Sequence, residues 1–305
     1  MVAYILHRVL IIIPIFFGVT LVSFVILHSM PGDPAEMIAG IDTNKEVVDR
    51  IKKELGLDQP LPVQYLMFMK NILKGDFGYS FRTRQPVSHE LKGRILNTLV
   101  LGALAIGLAT LFGVPSGILC ALGHNSGLDR FFVISTLFGL STPMFWSGLL
   151  FIMFFSVYLG WFPAGGMSGA RSIVLPAITL GLPAAAVITR MVRASLLEVF
   201  HENYIRTARA KGLSMARVTL RHALKNALIP VITVVGLQFG YLLGGSVVVE
   251  TVFSWPGMGQ LVIIGILGRD YPMVQGAIIV LSFFFLAINL VVDILYTALD
   301  PRIKL

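Results

Sequence analysis

Charged residues are scarce in this chain. Asp, Glu, Lys and Arg make up 13% of the 305 residues, about half the share found in an ordinary soluble domain. Apolar residues make up 56%, and another 30 residues are glycine. So few charges cannot cover the surface of a water-soluble protein of this size. The composition excludes a soluble globular enzyme, a disordered chain and a collagen-like fibre, and it predicts a polytopic membrane protein.

Several functional motifs are also missing from the sequence. There is no G-x-x-x-x-G-K-[ST] loop, so any ATP that drives transport must bind to another chain, and there is no H-E-x-x-H metal site. The single cysteine, Cys120, has no intrachain partner and no Cys/His metal spacing around it, so we interpret it as a small buried hydrophobe. Because Ser23, Ser141 and His28 are isolated, a membrane-embedded enzyme is rejected.

The net charge of +8 is spread along the chain. The basic residues form no patch with interleaved aromatics, which excludes nucleic acid as a partner. With the N-terminus in the cytoplasm, twelve Lys and Arg fall on the inside, and two, Arg171 and Arg269, fall in short outside loops. The long segment 31–94 carries ten more basic and nine acidic residues, but loops above about 60 residues translocate largely regardless of charge. Both termini are therefore predicted to be cytoplasmic.

Six apolar runs are long enough to cross about 30 Å of hydrocarbon as helices. They are Val9–Met30, Ile95–Leu122, Phe131–Trp161, Ile173–Met191, Ala227–Val249 and Met273–Leu299. The alternating ten-residue segments of a β-barrel are absent from the sequence. We predict an all-α fold with about six transmembrane helices: a first span within 1–30, an extracytoplasmic subdomain over 31–94 and a permease core over 95–305.

The segment 31–94 is the part that reads like a soluble protein. A helix is predicted over Asn44–Leu55, with Thr43 as its N-cap and Gly56 as its stop. A second amphipathic helix is predicted over Val63–Leu73, ended by Lys74-Gly75. We expect a cap packed on the external mouth of the bundle rather than a stand-alone binding domain.

Glycines recur every four residues in two of the spans. Gly236, Gly240 and Gly244 do so in the fifth span, and Gly113 and Gly117 in the second. Small residues at this spacing let another helix approach closely. The pattern fits packing within the chain, a subunit interface or a pore-lining face, and the spacing alone does not separate these alternatives.

The segment Ser195–Asn226 between the fourth and fifth spans is too long for a simple turn. A helix is predicted around Tyr204–Lys211, followed by Gly212 in a left-handed conformation. Ser214 is predicted to cap a second helix that begins at Met215. Two helices joined by a small-residue elbow would form a knob that fits a partner's cleft. The alternative is a basic amphipathic hairpin that lies on anionic lipid.

At this segment the sequence resembles a known family. Thr207-Ala208-Arg209 followed by Gly212 resembles the "EAA" coupling loop of ABC-importer permeases, specifically the dipeptide/oligopeptide/nickel family, although Thr207 replaces the usual Glu. The likeness extends over nearly the whole chain. Further matching motifs lie at Met30–Pro34, Gly56–Leu61, Gly75–Ser80, Glu250–Gly259, Arg269–Pro272 and Leu299–Ile303.

This resemblance implies a type I importer permease in a bacterial or archaeal inner membrane. The chain would form half of a pore for di- or oligopeptides and would carry no cofactor or metal of its own. The implied partners are a second homologous permease, two ATPase subunits that bind ATP and Mg²⁺, an extracytoplasmic binding protein and membrane lipids. A nickel, metal-chelate or glutathione permease of the same family stays open as an alternative. A stand-alone channel is the alternative from another class.

Two groups of site residues are predicted, the first from the resemblance and the second from the position of Glu250 just outside the fifth span, beside the turn Trp255-Pro256-Gly257. In the coupling loop, Ala208, Gly212 and Leu213 are expected to form the ATPase-docking core, with Arg209 and Lys211 at its rim and Thr207 and Ser214 beside it. Glu250, Trp255 and Arg269 are candidates for an outer gate, in which Glu250 would be held by Arg269 or by a neighbouring helix. A solvated interfacial carboxylate is the alternative for Glu250. Asp293 is expected to pair with a basic or backbone group.

Overall fold

A computed structural model of the chain describes residues 2–29, 35 and 44–299. This described part is helical apart from its loops and one isolated bridge between Tyr79 and Pro86, which confirms the predicted all-α fold. The motif at Met30–Pro34, the predicted cap Thr43 and the C-terminal residues from Asp300 lie outside the described residues. The helices are α1 (Val2–Ser29), α2 (Lys45–Leu55), α3 (Leu61–Leu73), α4 (Val87–Leu122), α5 (Gly127–Ser141), α6 (Met144–Phe151), α7 (Val174–Val199), α8 (Asn203–Ala210), α9 (Met215–Val218), α10 (Leu224–Val252), α11 (Met258–Leu267) and α12 (Tyr271–Leu299).

Five stretches of the described chain are long and apolar enough to cross a membrane, and there are six if a bent pair of helices is counted as one broken span. The bent pair corrects the predicted single run over Phe131–Trp161. There, α5 and a second helical segment, Met144–Tyr158, meet at an angle of 106°. Pro143 stands at this junction in an extended conformation. The break follows because proline has no N–H to continue a helix and disfavours a helical conformation in the residue before it.

Several helices extend beyond the predicted spans. The second span begins at Val87 instead of Ile95, and the fourth continues from Met191 to Val199. The fifth belongs to a helical stretch that starts at Met215 and passes through π-helical turns at Thr219–Ala223. Hydropathy marks only the part of a helix that lies in hydrocarbon, and these extensions carry charged and polar residues that need water or partners.

The bundle has two chemically different ends. The basic end holds Arg193 and the segment 200–226, and the cap end holds residues 44–95 and the loop before α12. Helices α4 and α7 run from the cap end to the basic end, and α10 runs back, so Glu250 near its end reaches Thr98 of α4. At the basic end, Arg8 of α1 lies 3.2 Å from Asp293 of α12, which confirms the expected partner for Asp293.

Four of the predicted packing glycines contact helices of the same chain. A Cβ atom at Gly117 would lie 2.6 Å from Val192 of α7, and Gly113 meets the same helix through Ile188. In α10, Gly236 faces Val292 and Gly240 faces Phe285, both on α12. Nothing lies within 4 Å of a Cβ atom at the fifth, Gly244. The glycine pattern therefore serves mainly to bring α4 onto α7 and α10 onto α12.

Replacing Gly117 by valine should destabilise the protein, because the added side chain collides with the backbone of α7 at Thr189 and with Val192. Overpacking of this kind costs about 1–3 kcal/mol. The matched control is Gly107→Val in the same helix, where a Cβ atom meets nothing within 4 Å. Thermal denaturation of the purified variants in detergent checks this. Equal melting temperatures for the two variants would contradict the packing role.

Candidate functional site: the coupling loop and a buried carboxylate

The chain between α7 and α10 forms two helices joined by a glycine elbow, as predicted. Helix α8 ends at Ala210, and Gly212 follows with φ +79°, the left-handed conformation expected after a helix end. Helix α9 then begins at Met215. Ser214 occupies the N-cap position, but its side chain makes no capping hydrogen bond. Its backbone carbonyl accepts from the N–H of Val218 at 2.9 Å, as at the start of any helix. The predicted cap position and helix start are confirmed, whereas the side-chain hydrogen bond of a cap is absent.

The inner side of this segment packs into the core of the protein. Ile205 and Val218 are fully buried and join the same hydrophobic core as residues of α4, α7 and α10. Ser195 of α7 donates to the carbonyl of Ala227 at 3.0 Å, and the side-chain amide of Asn226 donates to the hydroxyl of Tyr204 at 2.8 Å. The segment is therefore packed and hydrogen-bonded against the helix bundle and is not a free loop.

The predicted docking residues divide between this buried base and an exposed surface. Ala208 is buried and Leu213 is half-buried, and both pack against the core of the chain itself. The prediction that they belong to the ATPase-docking core stays a prediction, and the contacts found for them lie within the chain. The other five predicted residues are exposed, and we call them the loop surface: Thr207, Arg209, Lys211, Gly212 and Ser214.

An ion pair that is not predicted from the sequence connects two helices at the basic end. The guanidinium of Arg193 donates two hydrogen bonds to the carboxylate of Asp129, at 2.7 Å and 2.9 Å. The backbone N–H of Asn125 donates to the same carboxylate at 2.9 Å, and His124 lies 3.2 Å from the guanidinium. This bidentate arrangement fixes the start of α5 to α7 immediately before the loop. Asp129 lies in a short polar stretch of the sequence beside Arg130, and nothing in the sequence pairs it with Arg193.

A fully buried carboxylate stands at the cap end. Glu250 is 0% exposed. It accepts a hydrogen bond of 2.7 Å from the hydroxyl of Thr98 on α4 and one of 3.1 Å from the backbone N–H of Gln260 on α11. The hydroxyl oxygen of Thr98 in turn accepts from the N–H of Met258 at 2.8 Å. One carboxylate thus joins α10, α4 and the first turn of α11, and its polar atoms are paired as a buried charge requires.

The turn between α10 and α11 closes around this carboxylate. The indole of Trp255 donates to the carbonyl of Asn97 at 3.2 Å, and the amide of Asn97 donates to the carbonyl of Pro256 at 2.8 Å. A Cβ atom at Gly257 would overlap the carboxylate of Glu250. Only glycine allows the turn to approach so closely.

The structure corrects two expectations about Glu250. It is not a solvated interfacial group, because α4, the turn at Gly257 and the start of α11 cover it completely. It is also not held by Arg269, whose side chain is exposed and makes no ion pair with Glu250 in the described part of the chain. Of the predicted arrangements, contact with a neighbouring helix is the one found, through Thr98.

Two sequence motifs far apart in the chain meet beside this cluster. The carboxylate of Asp270, which is buried, accepts from the hydroxyl of Ser80 and from the backbone N–H of Phe81 at 3.0 Å. Asp270 immediately precedes α12, and the ring of Tyr271 lies edge-on to that of Phe81 with centroids 6.4 Å apart. The segment before α4 is thereby tied to the loop between α11 and α12. Within the described residues, no group of three or more His, Cys, Asp or Glu is arranged to hold a metal ion.

Replacing Thr98 by valine should destabilise the cap end. The change removes a donor to Glu250 and an acceptor for the N–H of Met258 while keeping the side-chain shape. Leaving buried polar groups unpaired costs about 1–3 kcal/mol. The control is Thr251→Val, because the hydroxyl of Thr251 is exposed and bonds only to its own helix at Val247. A Thr98 variant that melts at the same temperature as this control would contradict the role of Thr98.

Two family models match the sequence. The model described as "Binding-protein-dependent transport system inner membrane component" matches residues 113–305. The model for the N-terminal part of the membrane component of such systems matches residues 1–102. Among curated proteins, the chain is 45% identical to the glutathione transport system permease protein GsiC of Escherichia coli (strain K12) over 304 residues. That alignment covers 100% of this chain and 99% of the relative. The GsiC protein of Shigella flexneri serotype 5b has the same identity and coverage.

Solved structures show a related fold. The MetNI methionine ABC transporter in an inward-facing conformation contains a chain that superposes with a TM-score of 0.60 and 21% identity, covering 68% of this chain and 94% of that chain. An amino acid ABC transporter crystallised with histidines gives a TM-score of 0.51 at 17% identity, covering 71% of this chain and 95% of that one. At these identities the likeness supports the arrangement of helices alone.

Proposed function

Because the chain belongs to the family of inner-membrane components of binding-protein-dependent transport systems, we propose that it forms half of a translocation pathway for glutathione or a chemically similar small peptide. As a family member, it is a multi-pass permease subunit of an ABC importer in the bacterial inner membrane. It is not an enzyme, because ATPase activity in these systems belongs to partner subunits. The importer also includes a partner permease and a binding protein.

The loop surface is the proposed contact for an ATPase subunit, with the basic end of the bundle in the cytoplasm. The observation that carries this proposal is the combination of an exposed, positively charged surface with a buried base. Ile205 and Val218 fix the base to the core, so a displacement of the loop surface would be passed to α7 and α10 instead of being absorbed. Arg209 and Lys211 would face acidic side chains of the ATPase.

The assembly we propose has one copy each of this permease and a homologous permease, two ATPase subunits that bind ATP and Mg²⁺, and an extracytoplasmic binding protein at the cap end. The buried cluster of Glu250, Thr98 and the turn at Gly257 would keep α10, α4 and α11 together, so that these helices move as one unit when the cap end opens or closes. No charged residue of this cluster is exposed, so its proposed part is structural and not that of a substrate ligand.

Glutathione is the first substrate to test, because the relative that is 45% identical over the full length is named as a glutathione permease. Dipeptides, longer peptides and nickel or metal chelates are the competing substrates within the family. The experiment measures uptake of each candidate substrate by proteoliposomes that contain the complete importer. The importer's binding protein, loaded with the candidate, is added on the outside. ATP-dependent accumulation of labelled glutathione in preference to a dipeptide supports the proposal. Accumulation of the dipeptide or of a nickel chelate alone would overturn the choice of substrate.

Replacing Gly212 by glutamate should abolish coupled transport. The change forces a side chain onto a left-handed residue and places an acidic group in the middle of the basic loop surface. We expect loss of most uptake and of the substrate-stimulated ATP hydrolysis in the reconstituted importer. Gly75→Glu is the matched control, since Gly75 follows α3 with φ +76° and open space around it but lies at the cap end. Normal coupling in the Gly212 variant would contradict the docking proposal.

A further inference from the structure

Helix α3 carries large side chains on opposite sides. One side packs on α1: the ring of Phe24 lies 5.4 Å from that of Tyr65 and 5.7 Å from that of Phe68. On the other side, Leu66 is 67% exposed and Leu73 is 74% exposed, and Val63 and Met67 are exposed beside them. We call these four residues the outer face of α3. In a water-soluble cap, such a face would be an unusual exposed apolar patch.

The contacts of α3 fix its level along α1. The hydroxyl of Tyr65 lies 3.0 Å from that of Thr20 and donates to the carbonyl of Phe17, while the amide of Gln64 meets the ring of His28 at 3.0 Å. At 1.5 Å per residue, Thr20 lies about 18 Å along the helix axis from Arg8, and His28 about 30 Å. If the hydrocarbon begins just beyond Arg8, His28 marks its far boundary and Thr20 lies near its middle.

Helix α3 therefore lies at a depth that hydrocarbon occupies. Helix α1 packs mainly on α12 and makes a smaller contact with α3, so α1 and α3 stand at the edge of the bundle, away from the central helix α7. Exposed apolar side chains of α1 lie at the same level: Leu21 is 47% exposed and follows Thr20, which contacts Tyr65 of α3. The outer face of α3 is therefore at the depth of the apolar surface of the first span.

We propose that α3 is an interfacial helix seated in the membrane leaflet at the cap end, with its outer face in lipid acyl chains. Lys70 lies between Leu66 and Leu73 at helical spacing, and Lys74 follows at the helix end; both are exposed. Their aliphatic stems lie along the apolar surface, and their ammonium groups reach anionic lipid phosphates. The helix predicted from sequence as part of an external cap is thus a membrane-bound element. The assignment to the outer leaflet rests on the proposed orientation, whereas the contact with lipid does not.

Spin labels test this placement directly. The native thiol, Cys120, is buried and is first removed as Cys120→Ala. Single cysteines replace Leu66, Leu73 and, as an aqueous control, the exposed Glu46 of α2. The full chain is reconstituted in vesicles of phosphatidylethanolamine and phosphatidylglycerol, and collision rates are measured with oxygen, which dissolves in lipid, and with a water-soluble nickel chelate.

We expect a several-fold higher oxygen-to-nickel collision ratio at positions 66 and 73 than at position 46. A ratio equal to that of the Glu46 control would overturn the proposal, because it would place the outer face in water. Low collision rates with both reagents would also overturn it, since they would mean that another protein surface covers the face. The readout needs no ATPase and no substrate, so it fails or succeeds independently of the proposed transport function.

Discussion

The close contact between α4 and α7 is the interaction on which the rest of the bundle depends. Within hydrocarbon there is no hydrophobic force to press helices together, so association relies on dispersion contacts that only small residues permit over a long surface. Gly113 and Gly117 on α4 and Gly181 on α7 supply this surface, and a Cβ atom at Gly181 would lie 2.6 Å from the carbonyl oxygen of Ala105. Helix α7 becomes the most buried of the described spans, and α10 packs against it.

The two buried polar clusters lie at opposite ends of this apolar helix bundle. At the basic end, Asp129 and Arg193 fix α5 to α7 next to the coupling segment. At the cap end, Glu250 joins α10 to α4 and α11. Asp129 is buried beside a cation, whereas the carboxyl of Glu250 is buried among neutral hydrogen-bond donors. Breaking either cluster would leave buried polar groups without partners. Under the proposed function, these clusters make α4, α7 and α10 move together when an ATPase displaces the loop surface.

Much of this architecture is predictable from sequence, and what is not depends on distant contacts. The apolar runs predict the number of crossings, and Gly212 predicts the elbow, because both signals are local. Pro143 predicts a kink or break in the third run but not its size, because Pro115 and Pro183 lie inside helices that continue past them. The sequence also does not show that Ala208 and Leu213 pack against the core of the chain itself, since small and apolar residues fit a docking surface and a buried base equally well. Thr98 and Gln260, the partners of Glu250, lie 152 and 10 residues from it in the sequence. No helical periodicity predicts contacts at these separations.

Coupled transport by the proposed mechanism requires the loop surface to contact an ATPase subunit. The most direct measurement is site-directed crosslinking in native membranes, with a photoreactive probe attached to a cysteine placed at Lys211 in the Cys120→Ala background. We expect a crosslink to an ATPase subunit whose yield changes when ATP is added, and none from the same probe at Arg171 near the cap end. Crosslinks from Lys211 only to lipid, or to a protein without ATPase activity, would contradict it.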